Sequence, residues 1–410
     1  MTSAVPQCAL LALDGGAPVR TAPFAPWPSY EPDEIDAVRR VLESGNVNYW
    51  TGSECAQFEQ AYAGFCGRRH AIALANGSVA LELALHAFGI GAGAEVITAS
   101  RTFIASASCA VLRGATPVLA DVDPVSQNIT ADSIRAVLTP RAKAIIAVHL
   151  GGWPCDMDPI LELARAHRLL VIEDCAQAHG ATYKGRPVGS LGAAAAFSFC
   201  QDKIISTGGE GGMLLLDDTA AWERAWAYKD HGKSYDAVFR REHPPGFRWV
   251  HESFGTNWRM IEIQAAIGRM QLAKLPGWVA RRRHLAQILD AGFAVLPGIR
   301  VTRPAAEIGH AYYKYYAFLE PKQLKPGWDQ GRVIAAINAE GIPCMGGSCS
   351  EIYLEKAFVD AGLAPAARLP VAQSLGAASL SFLVHPTLTE TDMHDTCAAV
   401  AKVMRAATRR

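Results

Sequence analysis

From residue 71 to residue 216 the chain alternates short, unbroken apolar runs with longer stretches in which apolar residues recur at helical spacing. The runs are AIAL at 71–74, EVIT at 95–98, TPVLADV, AIIAVHL and LLVIED at 169–174. The amphipathic stretches between them are SVALELALHAFG, FIASASCAVLRG and PILELARAHR. A strand covered on both faces needs no alternation, and helices inserted between strands supply the covers. The pattern therefore predicts an α/β architecture with a mostly parallel central sheet between helices. AAAAFSF and GGMLLLD read as two more strands, joined by a segment that carries Lys203.

The pattern changes after about residue 275. LPGWVARRRHLAQILDAG reads as a long helix leading away, YYKYYAFLEP and ASLSFLVHP as strands, and WDQGRVIAAINAEG and TDMHDTCAAVAKVMRAATRR as helices. This predicts a large domain over 1–275, with the N-terminal segment, and a smaller α+β domain over 276–410. Between them, residues 231–260 are rich in Gly, Pro and aromatics and read as an ordered loop.

Composition narrows the classes. The chain has 410 residues, half of them hydrophobic, enough for two cores. Its 39 basic residues balance 39 acidic ones without a basic stripe, which argues against nucleic acid or an anionic membrane as partner. The first residues lack a basic leader, and no run approaches the roughly 20 apolar residues of a membrane span. Ten cysteines without a CxxC pair suit a reducing compartment, with no metal or iron–sulfur site expected. The expectation is a cytoplasmic enzyme.

Candidate chemistry centres on SFCQDKIISTGGEGGM at 198–213. The residues alone leave three readings of Lys203: a surface lysine on a turn, a phosphate ligand, or an amine that forms a Schiff base. A P-loop places its lysine after the glycines and before a helix, and here the order is reversed. The third reading needs neighbours. Pyridoxal 5'-phosphate (PLP) requires an amine, a carboxylate for its pyridine nitrogen, a phosphate cradle and a flat cover. Asp174, at the end of LLVIED, can be that carboxylate or equally a helix N-cap. Asn76-Gly77-Ser78 opens a helix, where free amides suit a phosphate or simply need capping. Phe103 can cover a ring or belong to the core. GIGAGAEV at 89–96 leads into a strand, so it is not a dinucleotide fingerprint.

The order of these features resembles the DegT/DnrJ/EryC1/StrS family of PLP-dependent sugar aminotransferases. The resemblance rests on NGSVALELAL, ASRTFIASASCAVLRGATPVLADVD, VHLGGWPCDMDPI, VIEDCAQAHGATYKGRPVGSLG, SFCQDKIISTGGEGG and GTNWRMIEIQAAIGRMQL, from about Gly45 to His385. It implies a fold type I PLP-dependent transferase. It implies further that Lys203 binds the cofactor covalently, that Asp174 meets the pyridine nitrogen, and that Gln177 lies near the ring. Gly77, Ser78 and Ser198 would hold the phosphate, and Phe103 would stack on the ring. Asn257 would reach the phosphate from a second subunit, which makes a homodimer with shared sites. Cys200-Gln201-Asp202 and the Cys175 of EDCAQ depart from the family pattern, and two thiols near the cofactor would invite alkylation.

The implied reaction moves an amino group from L-glutamate or L-glutamine to a keto-sugar, expected to be nucleotide-linked, for a polysaccharide or secondary metabolite. Rivals of the same fold are a cyclitol (inosose) aminotransferase, a dehydratase in which histidine replaces the lysine, and a non-catalytic PLP-binding regulator. Lys203 and Asp174 together disfavour the last two. Substrate walls are expected at 45–52 and 231–256, with Tyr49, His231, His310 and Tyr312 as substrate-binding candidates. GSCSEIYLEKAF at 347–358 is a further candidate wall, and His385 reads as structural.

Overall fold

The protein's structure, a computed structural model, describes residues 10–409. Most of the leader stretch considered above lies outside them. Seven strands form the main sheet: β1 (His70–Leu74), β2 (Glu95–Ala99), β3 (Thr116–Ala120), β4 (Ala142–Val148), β5 (Leu170–Asp174), β8 (Ala194–Ser198) and β9 (Gly212–Leu216). Two short strands, β6 (Thr182–Tyr183) and β7 (Arg186–Pro187), lie between β5 and β8 in the chain and pair with β11 (Ile308–Gly309). The main sheet runs β1-β9-β8-β5-β4-β2-β3. The pairs from β8 through β5, β4 and β2 to β3 are parallel. β9 is antiparallel to both its neighbours, because it returns from β8 through the Lys203 segment without a helical crossover.

The sheet has two dry faces, and the side-chain period of two divides each strand between them. Ile72, Leu74, Leu214 and Leu216 join a core with the helices Gly77–Ala87, Ala105–Leu112 and Thr219–Lys229. Their chain neighbours Ala71, Ala73, Met213 and Leu215 face the opposite core, with the helix Glu54–Cys66.

β10 (Ile299–Val301), β12 (Tyr315–Leu319), β13 (Cys344–Met345) and β14 (Ser379–Phe382) form a second sheet, order β10-β12-β14-β13, antiparallel throughout. The helices Gln330–Ala339 and Glu390–Ala407 pack on it. One 32-residue helix, Glu262–Phe293, serves both sheets. Leu272, Leu275 and Val279 enter the first core and Leu285, Leu289 and Phe293 the second. The sequence expectation starts this helix at Leu275, whereas the observed helix begins at Glu262 and runs through Pro276. Burial on both flanks outweighs the backbone hydrogen bond that Pro276 cannot donate. The division expected at residue 275 therefore falls inside a continuous helix. The N-terminal segment, grouped with the large domain, instead sends Leu11, Val19 and Phe24 to the second core. Residues 231–260 are a loop as expected, apart from one short helix, Tyr235–Phe239.

Candidate active site

The C-terminal ends of β5 and β8 and the start of the helix Gly77–Ala87 open onto a cavity of about 1010 Å³. A parallel sheet offers its ligands a place at this edge. Gly77, Ser78, Phe103, Asp174, Gln177, Ser198 and Lys203 all line the cavity, so these seven sequence candidates come together.

Asp174, at the end of β5, is 6% exposed. Its Oδ2 accepts a hydrogen bond from Ser106 Oγ at 2.7 Å and its Oδ1 accepts from the Ala176 amide at 3.1 Å. Ser106 is held in turn by Thr102, hydroxyl to hydroxyl at 2.8 Å. Glu173, one residue earlier, points to the other face and is saturated. It accepts from the amides of Gly189, Leu191 and Gly192 and from His149 Nε2. Burial alone would raise the Glu173 carboxyl; the His149 bond and the amides hold it below its usual value.

The phosphate-cradle candidates are fixed by close packing. A Cβ on Gly77 would sit 2.6 Å from Ser198 Cβ, and one on Gly212 would sit 2.3 Å from the Asn76 carbonyl oxygen. Only glycine lets the helix start pass this near the ends of β8 and β9. Asn76 does cap the helix, its Oδ1 accepting from the Val79 amide. That leaves the Gly77 and Ser78 amides at the cavity for a ligand. Below Ser198, His179 Nε2 donates to its carbonyl oxygen at 2.8 Å, while His179 Nδ1 accepts from Tyr62 Oη at 2.8 Å. Burial pushes the His179 pKa down to about 3, so this imidazole is a neutral strut.

Lys203 sits in a segment stapled from both sides. Its carbonyl accepts from Trp27 Nε1 at 2.9 Å, and Thr207 donates its amide to Phe199 and its hydroxyl to Glu210. The Lys203 Nζ lies 4.8 Å from the Tyr313 ring centroid. Gln177 Oε1 accepts from the Gly151 amide at 2.7 Å, which orients its side chain. Phe103 lies just ahead of the helix Ala105–Leu112 and is 65% exposed, a ring free to cover something flat.

Other candidates lie elsewhere in this chain. His310 is buried and stacked on Tyr312, ring centroids 3.8 Å apart, with its Nδ1 accepting the Tyr312 amide. Burial pushes its pKa down to about 3. Neither lines the cavity, because each is spent on the other. Tyr49 packs under the Lys229 ammonium, 3.4 Å from ring centroid to Nζ. His231 is exposed on the loop, and Asn257 is exposed beside Asp230, its backbone bridge partner. His385 stacks on Trp27, in keeping with a structural role. Residues 347–349 and Glu355 do reach the cavity. Of the two thiols expected near the cofactor, Cys175 is fully buried with its pKa raised by burial, so only Cys200 is open to a reagent there.

Sequence reasoning missed Ser106, His179, Tyr313 and Lys314. The alternating serines of FIASASCAV were the one available signal for Ser106.

Comparison with known proteins identifies the family. The sequence model of the DegT/DnrJ/EryC1/StrS aminotransferase family matches residues 28–401. The chain is 41% identical to the GDP-perosamine synthase of Caulobacter vibrioides, over 92% of this chain and 97% of that protein. It is 38% identical to the L-glutamine:2-deoxy-scyllo-inosose aminotransferase of Streptomyces kanamyceticus, over 82% of this chain and 80% of that one. The crystal structure of an aminotransferase from Psychrobacter cryohalolentis superposes with a TM-score of 0.92 at 55% identity, covering 94% of this chain and 99% of that chain.

Proposed function

The chain belongs to the DegT/DnrJ/EryC1/StrS aminotransferase family, a PLP-dependent family, and we propose that it moves an amino group from L-glutamate or L-glutamine to a nucleotide-linked keto-sugar. The observation that carries the residue roles is the convergence of the Lys203 amine, the buried Asp174 carboxylate and a glycine-lined helix start on a single cavity. That donor set fits PLP. The Gly77 and Ser78 amides with the Ser78 and Ser198 hydroxyls suit its phosphate, and Asp174 suits its pyridine nitrogen. Phe103 and Gln177 flank the ring, and the amine for its aldehyde is Lys203.

Bound there, PLP supplies a ring that takes up the electrons released at the donor's α-carbon. The chain's own groups do the rest. Asp174, kept in place by Ser106, holds a proton on the pyridine nitrogen. Lys203 Nζ, once neutral, takes the proton from the donor's α-carbon and delivers one to the acceptor carbon. A dehydratase of this fold carries histidine in place of that lysine, and a purely binding protein has no use for a proton carrier.

The site is completed by a second copy of the chain. Asn257 is exposed in one chain, on a segment that also exposes Phe247, Trp249 and Phe254. A homodimer would cover this apolar surface and bring Asn257 to the partner's phosphate. No helix among the described residues is long and apolar enough to cross a membrane, and small molecules are the substrates.

A cyclitol ketone is the second reading, favoured by the likeness to an inosose aminotransferase. Borohydride reduction of the PLP-loaded enzyme followed by peptide mapping tests the assignment of the amine: the label belongs on Lys203, and label on another lysine overturns it. Keto-sugar nucleotides and inososes, each added to donor-treated enzyme and followed by recovery of the original absorbance, separate the two substrate classes.

A further inference from the structure

The cavity wall made by Tyr313, Lys314 and the turn after β8 carries more positive charge than its own carboxylate neutralises. Lys314 Nζ lies 3.7 Å from Asp202 Oδ2, an ion pair too long for a hydrogen bond. That carboxylate takes its short bond from the Tyr313 hydroxyl instead. Behind them Arg282 is buried, with Nη1 on the carbonyls of Tyr312 and Tyr313 and with Nε and Nη2 lacking partners. Lys203 completes the group: its Nζ and that of Lys314 lie 4.8 Å and 4.9 Å from the centroid of the same Tyr313 ring. Lys314 and Arg282 thus share one carboxylate, and Lys203 joins them whenever no cofactor holds it. Glu210 and Glu355 also line the cavity, but neither pairs with Lys314. The Lys314 side chain keeps 19% of its surface open to the cavity.

A cation so poorly partnered next to the reacting amine calls for an anion from outside. The two substrates differ in where they carry one. In an α-amino acid the carboxylate is bonded to the same carbon as the amino group. Wherever that amino group meets Lys203, a carboxylate lies a few bond lengths away. In a nucleotide-linked sugar the phosphates lie several bonds from the carbonyl. We propose that Lys314 binds the α-carboxylate of the amino donor, with Asp202 holding the ammonium in readiness until the donor arrives. The proposal rests on the aminotransferase reading and adds to it a residue that selects and orients the donor.

The test uses PLP-loaded wild type, Lys314→Met, Lys314→Gln and Lys314→Arg, matched for cofactor content and thermal midpoint. Glutarate, a dicarboxylate without an amino group, and inorganic pyrophosphate are titrated calorimetrically. The neutral variants are expected to bind glutarate roughly tenfold or more weakly, the loss of one charge-assisted hydrogen bond. Lys314→Arg recovers most of the affinity, and pyrophosphate binding stays unchanged. In turnover the donor KM rises while the acceptor KM holds. Unchanged glutarate affinity in well-folded neutral variants overturns the proposal. So does loss of pyrophosphate affinity in its place, or a wild type that does not bind glutarate. A wild type that loads PLP but converts no L-amino acid overturns the aminotransferase reading itself.

Discussion

Two regions of the chain are built by opposite means. At the ends of β5 and β8 the buried polar groups are answered from within the chain: Asp174 by Ser106 and Ala176, Glu173 by three amides and His149, and His179 by Tyr62 and the Ser198 carbonyl. In residues 229–261 the accounts are open. Lys229 is fully buried with no hydrogen-bond partner for its Nζ, Asn257 is exposed, and Phe254 is 98% exposed. The buried Asp230 is well served there, by Arg259, Trp50 and Lys233. The first region needs nothing beyond a ligand. The second has the character of a surface that another chain finishes. Preorganised polar groups and open apolar surface are thus divided between a sheet edge and a loop.

The sharpest way to break that division is at the sheet edge. Lys203→Ala should abolish transamination, a loss of roughly 10³-fold or more, since no other amine replaces it as proton carrier. Its thermal midpoint without cofactor should match wild type, because the Lys203 contacts that hold its segment are made by backbone. Asp174→Asn should come next, with turnover down by about 10²-fold while PLP still binds. Near-normal turnover in this variant, measured by the donor half-reaction, would remove Asp174 from its role.

The loop region predicts effects on stability and assembly instead. Burial lowers the Lys229 pKa to about 8. The folded chain then binds fewer protons there than the unfolded chain between about pH 8 and the ordinary lysine value near 10.5. Stability from this group is therefore lowest below pH 8 and rises as pH increases through that window, by up to about 3 kcal/mol. Lys229→Met should flatten this rise, read as the difference between the two unfolding curves across pH. Identical pH dependence in both would refute a titrating Lys229. The smallest effect is expected for Asn257→Ala, roughly tenfold in PLP affinity. Mixing it with Lys203→Ala chains under exchange conditions should restore activity above either parent if Asn257 acts across subunits. No restoration means that it acts within its own chain or not at all.

The same contrast decides what was readable in the sequence. Strands β1 to β5, β8 and β9 were legible because each is a short apolar run, and Gly77 because it opens a helix directly after a strand. Lys203 and Asp174 stood out by position at strand ends. Ser106 did not, since its bond to Asp174 spans 68 positions and leaves no local trace. Tyr313 and Lys314 were hidden for the same reason, inside a strand-like run. His310 and Tyr312 misled because a histidine beside tyrosines looks like chemistry, and here the rings stack on each other. The helix beginning at Glu262 was read only from Leu275 onward, although its apolar positions on the two sides of Pro276 are buried in two different cores.

That helix has a consequence for the order in which the protein can be made. The face of the sheet that holds Phe58, Tyr62 and Phe197 is closed by Leu272, Leu275 and Val279, and also by Ala311 and Tyr313. On a ribosome, all seven strands of the sheet emerge before any of these covers exists. The part of that face around β1, β9 and β8 must then wait, covered only by the helix Glu54–Cys66, until the chain has grown past residue 313. Contacts this distant in sequence close slowly, and a waiting apolar face is where nascent chains aggregate. Synthesis slowed between β9 and β12 should therefore lower the yield of folded protein, and a chaperone that shields apolar surface should restore it.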